Sequence, residues 1–202
     1  MGKLQILKPT GTLLAVKLAN RGRHPASRAV FWSDGKTEHD GQPENGWLLK
    51  VPNDGCLFWL DECEEAFEVP LHDAGNPRWR DLSYAEEPTE DDLFAALSKP
   101  LDIKRLQYVR LRLWWYGNDP IRLDRSKALP QKHEHNLREF IASLSTEAEP
   151  ERMIMAEAYR QLGEFGSAVG LLEHGFSKCY QKTAYQIREQ CGKKDRKVAR
   201  LG

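Results

Sequence analysis

The chain has 202 residues, of which 40% are hydrophobic and 30% charged. This length allows one or two domains with a buried core, and the lack of an apolar run of about 18 residues argues against a transmembrane helix. Because the first residues lack the apolar core and cleavage site of a signal peptide, we expect a cytoplasmic protein without a membrane partner.

The formal net charge of zero conceals three charged stretches. Residues 61–92 contain twelve acidic and two basic residues, a local charge of −10, whereas residues 104–127 and 178–202 carry local charges of +5 and +6. Segregated charge of this kind indicates surfaces that meet charged partners or one another. Solvated faces without a partner are the alternative.

The first sixty residues are predicted to form a small antiparallel sheet of three or four strands. The β-prone runs, which turn-forming residues separate, cover residues 4–7, 12–18, 28–32, 47–51 and 56–60. Asp34-Gly35 is typical of a hairpin turn, because this dipeptide tolerates positive φ.

Residues 61–88 are predicted to form a loop-rich acidic connector. Pro70, Gly75 and Pro77 interrupt regular structure there. Only a short helix at residues 62–67 is expected before helices take over.

The helical half is predicted to begin at Thr89, which can cap a helix with Asp92 in the capping-box position. Apolar residues at spacings of three and four predict a longer helix over residues 103–116. Gly117 and Pro120 are expected to end it, because Gly permits a left-handed cap and Pro cannot continue the hydrogen-bond ladder.

Two further helices are expected at residues 133–144 and 178–190. The tail after them, residues 192–202, is polar and basic. We expect it to fray unless a partner orders it.

Residues 153–173 match about half of a tetratricopeptide-type unit, two helices joined by a tight turn. Gly163 marks the turn, Phe165 follows it, and Ala168 and Leu172 share one face of the second helix. Such units build protein-binding surfaces. Only one is visible, whereas about three are needed for an independent solenoid, so an ordinary antiparallel helix pair is the alternative.

Three segments resemble a family of uncharacterised bacterial proteins: FWSDG at residues 31–35, CLFWLDE at residues 56–62 and LRLWWYGND at residues 111–119. The helical hairpin completes the order. The resemblance implies a zinc-ribbon-like N-terminal part, although this chain lacks the first cysteine of the CxxC pair that precedes the aromatic segment in the family.

Together these patterns predict an α+β fold packed as one compact unit. A degenerate ribbon-like, β-rich part is expected at residues 1–70, the acidic connector at residues 71–88 and the helical part at residues 89–202. The helical part carries the one tetratricopeptide-like hairpin.

Four side chains could supply zinc ligands: Cys56, Cys63, His39 and His72. Structural zinc needs four ligands in tetrahedral reach, and no pair among these four has the CxxC spacing. We therefore expect no metal and no cofactor. All four cysteines of the chain are expected to be reduced thiols in or near the core.

No complete catalytic motif is present, so we expect no enzyme. A small hydrolase is one alternative, using Cys56 with His72 as base or a pair of carboxylates. The apolar neighbours Leu57 and Phe58 favour burial of the thiol instead. No glycine pattern of a nucleophile elbow surrounds Ser33, and no phosphate-binding loop is present.

The favoured hypothesis is a non-enzymatic bacterial interaction protein, most concretely an immunity protein that neutralises a toxin by occluding its active site. Acidic residues and exposed aromatic residues would carry the binding. One residue of the Trp-Trp pair is expected to pack against the sheet and the other to be partly exposed. The predicted partner contacts are Asp61, Glu62, Glu64, Glu65, Glu86, Glu87, Asp91, Arg112, Trp114 and Trp115.

A nucleic-acid-associated module of zinc-ribbon ancestry is the other alternative. Arg110, Arg112 and the basic tail would contact phosphates, and the Trp-Trp pair would stack on bases. Because binding to a nucleic-acid backbone usually requires a basic excess and this chain is neutral overall, we do not expect nucleic acid as a partner.

Overall fold

The computed structural model describes residues 3–9, 16–20, 29–39, 46–52 and 54–201. In chain order the strands are β1 (Lys3–Pro9), β2 (Val16–Asn20), β3 (Ala29–Trp32), β4 (Thr37–His39), β5 (Leu48–Lys50), β6 (Leu57–Trp59), β7 (Cys63–Pro70) and β8 (Arg200–Leu201). The helices are α1 (Pro77–Arg80), α2 (Glu90–Ala96), α3 (Ile103–Leu123), α4 (Gln131–Ala142), α5 (Glu149–Leu162), α6 (Phe165–Glu173) and α7 (Lys178–Gly192).

The predicted α+β class is confirmed, because small antiparallel sheets precede a helical C-terminal half. The contacts group the chain into two compact units, Met1–Ala29 with His39–Asp92 and Val30–Glu38 with Leu93–Gly202. The predicted division into residues 1–70, 71–88 and 89–202 within one compact unit stays a prediction. The grouping places residues 30–38, which include most of the β3–β4 hairpin, with the helices.

The first unit contains a sheet in the order β2-β1-β7 and the hairpin β5-β6, all antiparallel. The predicted strands at residues 4–7, 47–51 and 56–60 are confirmed. Of the predicted strand at residues 12–18, the structure places 16–18 in β2, and residues 12–15 lie outside the described residues. Among the described residues, one buried cluster of this unit contains Leu7, Val16, Leu49, Val51 and Phe58.

The predicted helix at residues 62–67 is wrong, because β7 occupies this part of the predicted connector. Its backbone pairs with β1, with Ile6 opposite Phe67 and Lys8 opposite Glu65. Pairing with a neighbouring strand overrides the helix preference of a Glu-rich segment. The connector is therefore part of the sheet as far as Pro70.

The predicted cap at Thr89 is confirmed. The Asp92 backbone N–H donates to Thr89 Oγ1 at 3.2 Å, and the Thr89 backbone N–H donates to the Asp92 carboxylate at 2.9 Å. Each side chain thus satisfies a backbone donor of the other residue, as in a capping box. Leu93 and Ala96 are the buried residues of the helix that follows.

In the second unit, α3 packs on α4, α4 on α5, α5 on α6, and α7 on both α5 and α6. The predicted hairpin is confirmed as α5 and α6, with Gly163 between them at φ +82°. This left-handed conformation favours glycine. Two buried clusters of described residues in this unit contain Trp114 with Phe140 and Ala156 with Ala168.

The predicted end of a helix at Gly117 is wrong, because α3 continues through Gly117 and Pro120 to Leu123. Gly117 does not form a left-handed helix cap. It allows neighbouring side chains to approach the α3 backbone closely. A Cβ at this position would lie 2.6 Å from His133 Cγ and 2.8 Å from Leu129 Cδ1. The glycine therefore lets α4 pack against α3.

We expect Gly117→Ala to lower the free energy of unfolding by about 2 kcal/mol, because a methyl group there would displace the buried His133 ring. Gly170→Ala is the matched control. Gly170 is exposed within α6, and an added Cβ meets nothing within 4 Å. That variant should gain about 0.5–1 kcal/mol from helix propensity. Urea unfolding measures both changes, and equal stability of the two variants would contradict the close approach.

The predicted fraying of the tail is also wrong. Residues 193–201, here called the C-terminal strap, lie along the second unit and end in β8, which pairs with β3. Val198 is fully buried. The Arg125 guanidinium donates to the carbonyl of Val198 at 2.9 Å. The strap is therefore ordered by the chain's own side chains.

Candidate functional site

Most of the predicted acidic contacts lie at the surface of the first unit. Asp61 and Glu62 occupy a short 3-10 turn between β6 and β7, and Glu64 follows on β7. All three side chains are exposed, as are those of Glu86 and Asp91 further along the chain. The chain thus brings three exposed carboxylates together within four residues.

Other acidic residues of the prediction bind within the unit. Glu87 is half-buried and accepts the backbone N–H of Gly46 at 3.1 Å. Glu86 bonds through its backbone to Lys50. Glu65 lies opposite Lys8 in the strand pairing. The Glu87 carboxylate is therefore used within the unit. Glu64 pairs with Lys8 at 3.4 Å, but both side chains are exposed, and the exposed carboxylates at residues 61–64 are the better candidates for a partner contact.

Trp47, which was not among the predicted partner contacts, binds one of these carboxylates. Its half-buried indole donates through Nε1 to Asp61 Oδ1 at 2.9 Å. The ring meets Trp59 edge-on, with centroids 4.8 Å apart and planes at 64°. The backbone N–H of Leu60 donates to the Trp47 carbonyl at 3.0 Å. The signals that could have found it are the two predicted strands at residues 47–51 and 56–60, which turn-forming residues separate.

The two tryptophans of the prediction lie in the second unit and use their N–H groups there. Trp114 is 0% exposed and donates to Gln161 Oε1 at 2.9 Å. Trp115 is half-buried and donates to the backbone carbonyl of Asp34 at 3.0 Å. Arg112 lies over the Trp115 ring at 5.9 Å. Because Trp114 is enclosed, we leave it out of the proposed contact surface.

The arginines invoked for nucleic acid have protein partners. Arg110 donates to Asn136 Oδ1 at 3.3 Å and lies 3.6 Å from the Glu139 carboxylate. Burial lowers the pKa of Arg110. In the strap, Arg196 donates to Glu134 at 2.5 Å. These contacts reduce the positive charge that the second unit offers to phosphates.

A buried network centred on Asp34 joins the β3–β4 hairpin to α3. Asp34 is 1% exposed and accepts a hydrogen bond from Asn118 Nδ2 at 2.7 Å and another from Arg122. Arg122 also pairs with Asp119, which binds Lys36 Nζ at 2.5 Å. Burial raises the pKa of Asp34, while Arg122 and Asn118 oppose this shift. The predicted hairpin turn is thereby tied to the helix.

A second buried network is centred on Glu157, on α5. Its carboxylate accepts hydrogen bonds from Arg160 at 2.8 and 2.6 Å, from Gln161 at 2.8 Å and from Ser33 Oγ at 2.6 Å. Arg160 also donates to strap carbonyls, those of Asp195 and Lys197. Burial works against the charge of Arg160, but Glu157 holds its pKa above the ordinary value.

Ser33 and Glu157 are residue types that can act as nucleophile and general base in an enzyme. Here their hydrogen bonds hold the structure together instead. Arg160 neutralises the carboxylate, and Ser33 Oγ accepts the backbone N–H of Ala199 at 2.9 Å. Arg160 thus donates to both carboxylate oxygens of Glu157, and Gln161 donates to one of them. The pair fixes the strap to the hairpin.

The expected core location of the cysteines holds for Cys191, which is buried, and is wrong for Cys56 and Cys179, which are exposed. Cys56 lies in a turn before β6, where its backbone N–H donates to Asp54 Oδ1 at 2.7 Å. Cys63 is half-buried, and burial raises the pKa of its thiol. Among the described residues, no three His, Cys, Asp or Glu side chains lie together as a metal site.

Asp92 should make the first unit sensitive to acid. A hydrogen bond from Lys50 Nζ at 2.9 Å, together with those from Thr89, holds the pKa of Asp92 below its ordinary value of 3.8. The folded carboxyl therefore binds its proton less readily than the unfolded one. Its contribution is present above about pH 4 and is lost as the pH falls through the folded pKa.

Asp92→Asn is therefore expected to lose less stability than the wild type on acidification from about pH 5 to about pH 3. Asp91→Asn is the control, since Asp91 is an exposed neighbour in the same helical turn. Thermal unfolding across this pH range measures the difference. A wild-type pH dependence in Asp92→Asn would contradict it.

No protein-family model, curated protein or solved structure matches this chain. Among the helices in the described part of the chain, none has the length and apolar character required to cross a bilayer.

Proposed function

We propose that this chain is a non-enzymatic bacterial protein-binding protein, most concretely an immunity protein that occludes the active site of a basic toxin. The observation that carries the proposal is the indole of Trp47 fixed against Asp61, which the exposed residues Glu62 and Glu64 follow in the chain. This group is here called the Trp47 surface.

The Trp47 surface suits a cationic side chain of the partner. An indole ring attracts a lysine or arginine cation through its π face, and the neighbouring carboxylates add charge-assisted hydrogen bonds. Trp59 and Asp61 hold the ring in place before binding. Little conformational freedom is then lost when a partner arrives, and preorganised aromatic residues of this kind are common binding hot spots.

The charge of the surrounding segment favours a basic partner. Residues 61–92 carry a net charge of −10, and exposed acids dominate this part of the first unit. Such a field accelerates association with an oppositely charged protein. A toxin that acts on nucleic acid needs a basic active site, and an acidic surface can fill that site in place of phosphates.

Affinity purification from the native host tests the proposal. The triple variant Asp61→Asn, Glu62→Gln, Glu64→Gln removes three charges and keeps an acceptor for the Trp47 indole. We expect the wild type to retain one basic protein and the triple variant to bind it at least about tenfold more weakly, from up to about 1 kcal/mol per lost pair.

The matched control is Glu147→Gln with Glu173→Gln, two exposed acids outside residues 61–92. It should retain the partner at wild-type level. If the wild type retains no protein partner, or if the triple variant binds as the control does, the proposed surface is incorrect. Addition of the purified wild type should also suppress the toxicity of the partner in cells.

A further inference from the structure

A pocket of about 80 Å³ lies in the second unit between β8 and α7. Ser33 and Glu157 form its inner end, and Ile187 and Leu201 supply apolar wall. Glu157 and Ile187 are almost completely buried. The pocket is independent of the Trp47 surface, since its residues all belong to the other unit.

At the inner end of the pocket, the side-chain oxygens of Glu157 and Ser33 already have hydrogen-bond partners within the protein. The Glu157 carboxylate binds Arg160, Gln161 and Ser33, and Ser33 Oγ also accepts the Ala199 N–H. A ligand therefore gains no strong charge interaction there. Recognition falls to the remaining polar side chains of the pocket.

Two of these side chains carry opposite charges and do not pair with each other. Glu189, on α7, has as its nearest ion-pair partner Lys193, whose Nζ lies 4.0 Å away and is also exposed. Arg200, on β8, is exposed, and in the part of the chain that the structure describes it forms no salt bridge. Gln186 and Gln190 lie on the same helix as Glu189, one turn apart, and add amide donors and acceptors.

We propose that this pocket binds the zwitterion of a small free α-amino acid such as glycine or alanine. Glu189 would accept the ammonium group, Arg200 would bind the carboxylate, and the two glutamines would complete the hydrogen bonds. A ligand of one charge satisfies only one of the two residues. The volume sets the size limit, because a cavity of about 150 Å³ is needed to hold benzene.

Isothermal titration of the full chain with glycine and with alanine tests the proposal, with methylammonium and acetate as single-charge probes. We expect a dissociation constant on the order of 1 mM for glycine, as suits so few atoms, and at least about tenfold weaker binding of either probe. Glu189→Gln and Arg200→Gln should each weaken glycine binding about tenfold or more, as loss of a charge-assisted hydrogen bond does.

The control variants Glu173→Gln and Lys182→Gln change exposed charges outside the pocket and should bind glycine as the wild type does. All four positions are exposed, so folding is not at issue, and thermal unfolding verifies this. Absence of glycine binding at about 20 mM, about twenty times the expected dissociation constant, would overturn the proposal. So would equal affinity for methylammonium or acetate, or wild-type affinity in both pocket variants.

Discussion

Arg160→Ala is expected to lower the free energy of unfolding by about 3–5 kcal/mol, because it leaves the buried Glu157 carboxylate without its cation. Both side chains of this pair are 0% exposed. The same guanidinium holds the carbonyls of Asp195 and Lys197, so the strap should loosen as well. Urea unfolding measures the first effect, and hydrogen exchange at the Ala199 amide measures the second.

The control for this prediction is Arg138→Ala. Arg138 pairs with Glu164, but both side chains are substantially exposed, and surface pairs contribute less than about 1 kcal/mol. If Arg160→Ala costs no more than Arg138→Ala, or if exchange at Ala199 is unchanged, the Glu157 network does not order the strap.

Asp34→Ala is expected to cost about 3 kcal/mol, at the lower end of the range for removing one partner of a buried ion pair. The Arg122 side chain is only 4% exposed and loses its buried partner, but it keeps Asp119 and the carbonyl of Trp115. Asn118 Nδ2 would lose its acceptor too. Thermal or urea unfolding gives the loss.

Asp119→Ala tests whether the stability lost at Asp34 depends on the burial of that carboxylate or only on its charge. Asp119 pairs with the same Arg122 and with Lys36, yet its side chain is 41% exposed. We expect a loss of about 1 kcal/mol or less. A larger loss for Asp119→Ala than for Asp34→Ala would contradict the assignment of Asp34 as the anchor of the hairpin.

Local sequence patterns located most of the helices because their signals are local. The apolar spacing within residues 133–144, the Thr89 cap and the turn glycine Gly163 each act within a few residues. All three appear in the structure. The α+β class follows from the same signals.

The elements that were missed depend on contacts between distant residues. β7 is a strand because it pairs with β1, about sixty residues earlier in the chain. Gly117 lies within a helix, where the close approach of His133 from the next helix leaves no room for a Cβ. The strap is ordered by Arg160 and Ser33. The sequences of these segments do not indicate their distant partners, so secondary-structure propensity alone gives the wrong prediction.

The candidate surface was predictable in part. The acidic residues at 61–64 followed from charge and stand exposed, whereas the aromatic partner was placed at the Trp-Trp pair, which the second unit uses internally. The spacing of apolar residues along a helix does not distinguish a tryptophan that packs within the protein from one that is exposed to solvent. Trp47 gains its place from the hairpin partner Leu60 and from Asp61.

The dissociation constant of the complex with the captured partner, measured at about 50 mM and about 200 mM salt, tests the central claim most directly. We expect binding by the wild type to weaken as the salt concentration rises, and the triple variant at residues 61, 62 and 64 to bind more weakly and with a smaller salt dependence. Equal affinity and equal salt dependence for wild type and triple variant would contradict it.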